Sequence, residues 1–143
     1  MNYFRKIGFV IIIMWLLVPC LQAQSSNDGD GTFTNPVLWS DVPDPDVIRV
    51  GDDFYLVSTT MHLAPGAPVM HSKDLVNWKI ASYVFDKLTD TPNYDLSGGT
   101  AYGRGQWATS LRYHNGKYYV YFSPNDKPYR GYVYSTTDPA GGK

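Results

Sequence analysis

An aspartate between two prolines is the first residue whose type and setting could do chemistry. Residues 41–46 have the sequence DVPDPD, and Asp44 has proline on both sides. Each proline fixes its own φ, and a residue before proline is held extended, so Asp44 is predicted to have little backbone freedom. A carboxylate held in one place suits a general base. A rigid turn with solvated acids is one alternative interpretation. A Ca²⁺ site of Asp41, Asp44 and Asp46 is another, although the spacing matches no standard Ca²⁺ loop.

A second group of candidates lies at residues 103–109, with the sequence GRGQWAT. Trp107, Ala108 and Thr109 are candidate substrate-binding residues. An indole ring near a carboxylate suits a sugar, because the ring stacks on C–H faces while the acid contacts hydroxyls or water. The alternative interpretation is a core tryptophan with glycines that shape a turn.

One histidine completes the candidate set. His62 lies in residues 61–68, an apolar loop in which it could contact substrate or serve as a structural histidine. The sequence contains no GxSxG motif, no glycine-rich phosphate loop and no His/Cys cluster with metal-ligand spacing. These absences argue against the corresponding enzyme classes and leave no metal site to assign.

The elements that must position these residues are predicted to be β-strands. Aromatic and β-branched runs alternate with turn signals, and no stretch after residue 24 shows helical periodicity. The turn Asn115-Gly116 is a strong hairpin signal because both of its positions need a positive φ. The predicted strands are 47–50, 54–60, 69–72 and 78–81 in a first set, and 111–114, 117–123 and 131–136 in a second.

The two sets are related by a constant shift of 64 residues, as from Phe54 to Tyr118 and from Asp74 to Asp138. A repeated sheet of about four antiparallel strands predicts an all-β fold of the propeller type. A β-sandwich of two similar sheets is the alternative. The chain would hold roughly the first one and a half to two blades, so we expect the functional protein to be longer.

The repeat also predicts where the candidate residues meet. The shift places Asp44 over position 108 of the second set. Equivalent positions of successive propeller blades gather around the axis, where the innermost strands start. Asp44 and residues 107–109 are therefore predicted to line one funnel.

Residues 1–23 are predicted to be a signal peptide. Arg5 and Lys6 precede an apolar run at residues 7–19, which is short for a bilayer span, and Ala23 offers a cleavage site. We therefore expect an exported protein, periplasmic or extracellular. The alternative is an outer-surface lipoprotein anchored at Cys20, the only cysteine of the chain.

Amino-acid composition indicates the character of residues 24–143 and the kinds of partner to expect. Residues 24–32 are polar and glycine-rich and are predicted to be a disordered linker, and residues 33–143 form the propeller part. The net charge is −1, without a clustered Lys/Arg face, so we expect no nucleic-acid partner. We expect no membrane contact unless Cys20 is lipidated. The aromatic content of 15% suits both β-sheets and carbohydrate clefts.

Three motifs resemble those of glycoside hydrolase family 43, and the likeness runs from about Asn35 to the C terminus. At the place of Thr109 the family often has proline, so this chain departs from the pattern there. The motifs are residues 35–38 (NPVL) with 43–48 (PDPDVI), residues 72–78 (SKDLVNW), and residues 105–111 (GQWATSL).

The resemblance implies a five-bladed β-propeller and inverting O-glycosyl hydrolysis of xylan- or arabinan-derived polysaccharides and oligosaccharides. The implied activity is that of a β-xylosidase, α-L-arabinofuranosidase or arabinanase, with Asp44 as the general base. The family also has a general-acid glutamate and an aspartate that tunes its pKa, and neither has a counterpart in this 143-residue chain. We therefore expect the chain to be inactive on its own. No cofactor is assigned to it, although many members hold Ca²⁺ or another ion through later residues. A non-catalytic carbohydrate-binding propeller is the alternative function.

Overall fold

The computed structural model describes residues 25–61, 64–90 and 92–141, and these residues form two antiparallel sheets without any helix. The strand order is β1-β2-β3-β4 in the first sheet and β5-β6-β7 in the second. The strands are β1 (Asp46–Val50), β2 (Asp53–Val57), β3 (Gly66–Ser72), β4 (Lys79–Phe85), β5 (Gln106–His114), β6 (Lys117–Pro124) and β7 (Tyr132–Thr136).

The predicted repeat is confirmed at the level of strand pairing. Phe54 of β2 pairs with Ser72 of β3, and Tyr118 and Thr136, each 64 residues later, pair in the same way. The first hairpins also match, because the pairs of β1 with β2 recur in β5 with β6 at the same shift. The first three strands of each sheet therefore pair in the same register.

A hydrogen-bonded turn after the third strand is repeated with the same shift. In the first sheet the Ser72 hydroxyl accepts a hydrogen bond from the backbone N–H of Asp74 at 3.1 Å. In the second sheet the Thr136 hydroxyl accepts from the N–H of Asp138, also at 3.1 Å. Each aspartate then accepts two further backbone N–H bonds: Asp74 from Val76 and Asn77, and Asp138 from Ala140 and Gly141.

The apolar core lies between the two sheets, because alternate residues of each sheet face the other. The core has two clusters of buried side chains. The connection between β4 and β5 folds onto the second cluster, in which the Phe85 and Phe122 rings stack at a centroid distance of 5.1 Å. Burial of this apolar area is the main favourable term that holds the sheets together. The first cluster is Tyr55, Val57, Val69, Leu111, Tyr118 and Val120, and the second is Ala67, Phe85, Leu88, Tyr94, Ala101 and Phe122.

Three strands are clearly longer than the sequence pattern predicts, and one is shorter. β5 begins at Gln106 rather than at Leu111, and β2 ends at Val57 rather than at Thr60. β3 begins at Gly66 rather than at Val69, and β4 continues to Phe85 rather than to Ala81. The extension is allowed because Gly66 has no Cβ, which would collide with the Phe85 ring. Long-range packing, rather than local propensity, sets these strand ends.

The segment before the first sheet differs from the predicted disorder. Asn27 and Phe33 form an isolated antiparallel bridge, and the buried Ser26 donates its hydroxyl proton to the carbonyl oxygen of Pro36 at 2.6 Å. Ser26 also accepts a hydrogen bond from Nε1 of Trp39 at 3.2 Å. Turn-forming Asn and Asp side chains thus give residues 25–34 a defined path.

The proposed signal peptide at residues 1–23 lies outside the described residues, and the boundaries at 23/24 and 32/33 stay predictions. Within the ranges that the structure describes, no helix has the length and apolar character needed to cross a membrane.

The turn at Asp74 predicts a pH-dependent contribution to stability. Hydrogen bonds from the backbone and side chain of Asn77 and from the Val76 N–H lower the pKa of the Asp74 carboxyl well below its ordinary value of 3.8. This stabilisation is present above the pKa of the unfolded state and is lost as the pH falls through the lower pKa of the folded state. The difference between the melting temperatures of wild type and Asp74→Asn should therefore be largest near neutral pH. It should begin to shrink only below about pH 4 and keep shrinking as the solution becomes more acidic.

Thermal melts followed by circular dichroism between acidic and neutral pH measure this difference. Asp41→Asn removes one negative charge from an exposed position and is the matched control. A gap between wild type and Asp74→Asn that stays constant over the whole range would contradict the explanation.

Candidate active site

Asp44 lies in the loop immediately before β1, and its backbone conformation differs from the prediction. Its φ is 48°, in the left-handed region, so the expectation of an extended residue is wrong. Three hydrogen bonds explain how this conformation is held. The Pro43 carbonyl accepts from the Ser58 hydroxyl at 2.7 Å and from the Thr59 N–H at 3.0 Å, and Oδ2 of Asp44 accepts from the Thr59 hydroxyl at 2.8 Å. Such a conformation costs about 1–3 kcal/mol and persists only where its surroundings enforce it.

The equivalent position of the second sheet has the same unusual backbone. Ala108 has a φ of 42°, and the pairing of β5 with β6 shifts register between Trp107 and Ser110, so Ala108 lies in an irregularity of the strand. Its backbone N–H donates to Oγ1 of Thr59 at 2.8 Å. One hydroxyl group therefore contacts both Asp44 and Ala108, and the predicted meeting of positions 44 and 108 is present in the structure.

Thr59 is a functional candidate that the sequence analysis missed. Its side chain is only 3% exposed, and it follows the end of β2 at Val57. The available signal is the hairpin register: Asp46 pairs with Val57, and extending this register by two residues would set residues 58–59 opposite Pro45 and Asp44. Hydroxyl residues at that point are placed to bind the loop that carries the carboxylate.

Gln106 is a second residue that the sequence analysis missed. Its side chain is fully buried, and its Oε1 accepts hydrogen bonds from the N–H groups of Thr60 at 2.9 Å and Ala67 at 3.2 Å. Its amide nitrogen donates to the Thr109 hydroxyl. Gln106 thus ties the loop between β2 and β3 to the second sheet. His62 belongs to this loop but lies outside the described residues, so its predicted contact with substrate stays a prediction.

The three predicted residues of the second sheet have different environments. Trp107 is partly buried, and its indole N–H donates to the Gly103 carbonyl at 3.2 Å. Ala108 is exposed beside Thr59. Thr109 is 4% exposed and bonded to Gln106, which gives its side chain an internal structural contact rather than a contact with a ligand.

The neighbouring acid Asp46 has a structural contact of its own. Its Oδ2 accepts hydrogen bonds from the Leu111 N–H at 2.8 Å and from Arg112 at 2.7 Å, so it joins β1 to β5. Asp44 and Asp46 therefore bind different partners. Among the described residues no group of three or more His, Cys, Asp or Glu side chains could hold a metal ion. The Ca²⁺ interpretation of Asp41, Asp44 and Asp46 thus does not fit this loop.

The site combines a fixed carboxylate with an exposed surface. Asp44 is exposed, yet one of its oxygens is bound by a buried hydroxyl. Trp107, with its indole ring, directly precedes Ala108 in the sequence. This arrangement can accept a proton from water at a defined position.

Comparison with known proteins gives one consistent family. The profile of "Glycosyl hydrolases family 43" matches residues 33–142. A non-reducing end alpha-L-arabinofuranosidase of Bacteroides ovatus is 45% identical over 112 residues, which is 77% of this chain and 21% of that protein. A beta-xylosidase of Formosa agariphila is 42% identical over 95 residues, 66% of this chain and 16% of that protein. The chain thus spans about a sixth to a fifth of the length of these curated relatives.

Solved structures agree with these relatives. A bifunctional GH43-CE protein of Bacteroides eggerthii superimposes with a TM-score of 0.70 at 46% identity, over 77% of this chain and 14% of that chain. An engineered GH43 glycoside hydrolase, described as having endo-xylanase and exo-arabinofuranosidase activity, superimposes with a TM-score of 0.66 at 41% identity, over 77% of this chain and 22% of that chain.

The buried amide of Gln106 predicts a clear loss of stability on substitution. Gln106→Leu keeps a side chain of similar size but leaves the buried Ala67 N–H without its acceptor. Each buried donor left unpaired costs about 1–3 kcal/mol. Thr109→Val removes only the acceptor of the amide nitrogen and should cost less. Urea denaturation of the three proteins measures the difference, and a Gln106→Leu protein as stable as wild type would refute the assigned role.

Proposed function

The chain belongs to glycoside hydrolase family 43, and we propose that the protein carrying these residues hydrolyses glycosidic bonds of xylan- or arabinan-derived polysaccharides and oligosaccharides with inversion. The observation that carries the proposal is Asp44: an exposed carboxylate, fixed by a buried hydroxyl, at the junction of the two sheets and in the family's opening motif. Relatives named beta-xylosidase and alpha-L-arabinofuranosidase support both substrate classes.

In the proposed mechanism Asp44 is the general base. An inverting glycosidase places its two carboxyl groups roughly 6.5–9.5 Å apart, so that the base can activate a water molecule on the face opposite to the leaving group. Thr59 binds Oδ2 of Asp44, and we assign the proton of that water to Oδ1. Trp107 and Ala108 would contact the sugar beside the base. We assign no proton donor, because no acidic side chain of this 143-residue chain lies at a position that matches the general acid of the family.

We propose that the two sheets are the first two blades of a five-bladed propeller. The repeat of pairing register and of the turn at Asp74 and Asp138 supports two equivalent units. The strands β1 and β5 would be innermost, because the loops before Asp46 and at Ala108 meet there. This placement would put Asp44 at the mouth of the axial funnel, where a sugar chain could reach it.

The base assignment predicts a selective loss of turnover. Asp44→Asn keeps the size of the side chain but cannot accept the proton of water, and loss of a general base typically costs about 10²–10⁴-fold in rate. The decrease should appear mainly in kcat. The measurement is kcat and KM on aryl xylosides and aryl arabinofuranosides, with variants made in the protein of the complete reading frame.

Asp46→Asn is the matched control, because its amide oxygen can still accept the hydrogen bond from the Leu111 N–H. We expect it to keep most of the turnover. The 143-residue chain alone should be inactive, since it offers no matching general acid. Wild-type turnover in Asp44→Asn would remove Asp44 from the mechanism and favour a non-catalytic carbohydrate-binding protein.

We also propose that the protein is exported. The basic pair Arg5 and Lys6, the apolar run at residues 7–19 and Ala23 predict cleavage that leaves Gln24 as the first residue. N-terminal sequencing of the protein from a bacterial host tests this. A protein that keeps Met1 in the cytoplasm would refute export, and a lipid on Cys20 would identify a surface-anchored form instead.

A further inference from the structure

We propose that Thr59 is a positioning residue that couples the second sheet to the general base. Its hydroxyl accepts a hydrogen bond from the Ala108 N–H and donates one to Oδ2 of Asp44, each at 2.8 Å. The inference rests on the proposed role of Asp44 and adds a residue that acts through it.

The direction of both hydrogen bonds follows from their donors. A backbone N–H can only donate, so Oγ1 of Thr59 must accept from Ala108. A hydroxyl has a single proton, and the other partner of Oγ1 is the Asp44 carboxylate, so that proton points at Oδ2. The rotation of the hydroxyl is therefore fixed. The consequence is that Oδ2 is engaged and Oδ1 is the oxygen that receives the proton of water.

Burial makes this arrangement hard to replace. The Thr59 side chain is 3% exposed and the adjacent Ser58 is 1% exposed, so a water molecule has little access to the position of the hydroxyl. Hydrogen bonds in such surroundings hold their geometry better than exposed ones. The carboxylate of Asp44 is exposed, and without Thr59 its side chain would be free to rotate toward solvent.

The backbone at both ends of this contact is strained. Asp44 and Ala108 have φ values of 48° and 42°, and non-glycine residues reach such values only under constraint. The Thr59 backbone N–H bonds to the Pro43 carbonyl at 3.0 Å, and this bond does not involve the hydroxyl. Loss of the hydroxyl should therefore spare the fold of the loop and release mainly the carboxylate.

The test uses Thr59→Val and Thr59→Ser in the protein of the complete reading frame, assayed on aryl glycosides. A small misplacement of a reacting group can cost up to about 10²-fold, so we expect kcat of Thr59→Val to fall by about 10–10²-fold with KM within about twofold. Thr59→Ser keeps the hydroxyl and should recover kcat to within about threefold of wild type. Thr59→Ala is a second hydroxyl-free variant should the valine protein not fold.

Thr136→Val is the matched control, because it removes a threonine hydroxyl from the turn at Asp138, which has no part in the site. Its kcat should equal that of wild type. An equal fall in Thr59→Ser and Thr59→Val, or a change in KM alone, would assign Thr59 a packing role and overturn the proposal.

A double variant separates this proposal from the base assignment. If Thr59 acts through Asp44, adding Thr59→Val to Asp44→Asn should lower kcat by less than about twofold more, whereas independent effects would multiply. A normal kcat in Thr59→Val beside a large loss in Asp44→Asn would overturn only the role of Thr59. A normal kcat in Asp44→Asn would overturn both.

Discussion

The hydrogen-bonded junction between the two sheets is the constraint on which the site depends. Three side chains cross it with hydrogen bonds. Thr59 joins its loop to Ala108, Gln106 joins β5 to the loop after β2, and Asp46 joins β1 to the backbone of β5. Thr59 binds the carboxylate from the first sheet and is itself bound by the second sheet through the Ala108 N–H.

The polar junction and the apolar core have separate tasks. Side chains such as Val57 and Leu111 are fully buried between the sheets and supply non-directional attraction, which fixes closeness but not the exact angle of approach. The hydrogen bonds of Gln106 and Thr59 are directional and satisfied on both sides, and such networks specify geometry. A fully buried glutamine is favoured at this point because its removal would leave the buried Ala67 N–H without an acceptor.

Local pattern was enough to predict the strands and their repeat, because turn residues such as Asn115 and Gly116 and the period of two act over a few residues. The shift of 64 residues even predicted that positions 44 and 108 meet. The left-handed backbone of Asp44 was not predictable in this way, because Thr59 and Ser58, fourteen or fifteen residues on, enforce it against the local preference set by Pro45. The roles of Thr59 and Gln106 depend on contacts up to 49 residues apart along the chain.

The repeat also separates scaffold from chemistry. Asp44 and Ala108 are equivalent positions with nearly equal φ values, yet only one of them has a carboxylate. The strained corner is therefore a property of each sheet's plan and not an adaptation to catalysis at one of them. Strain at Asp44 would be weak evidence of function by itself, because Ala108 shares it without an ionisable group. Two features distinguish the site. One is the carboxylate of Asp44 at a backbone position that both sheets share, and the other is the Thr59 hydroxyl, which bonds to the backbone N–H of Ala108 at the equivalent position.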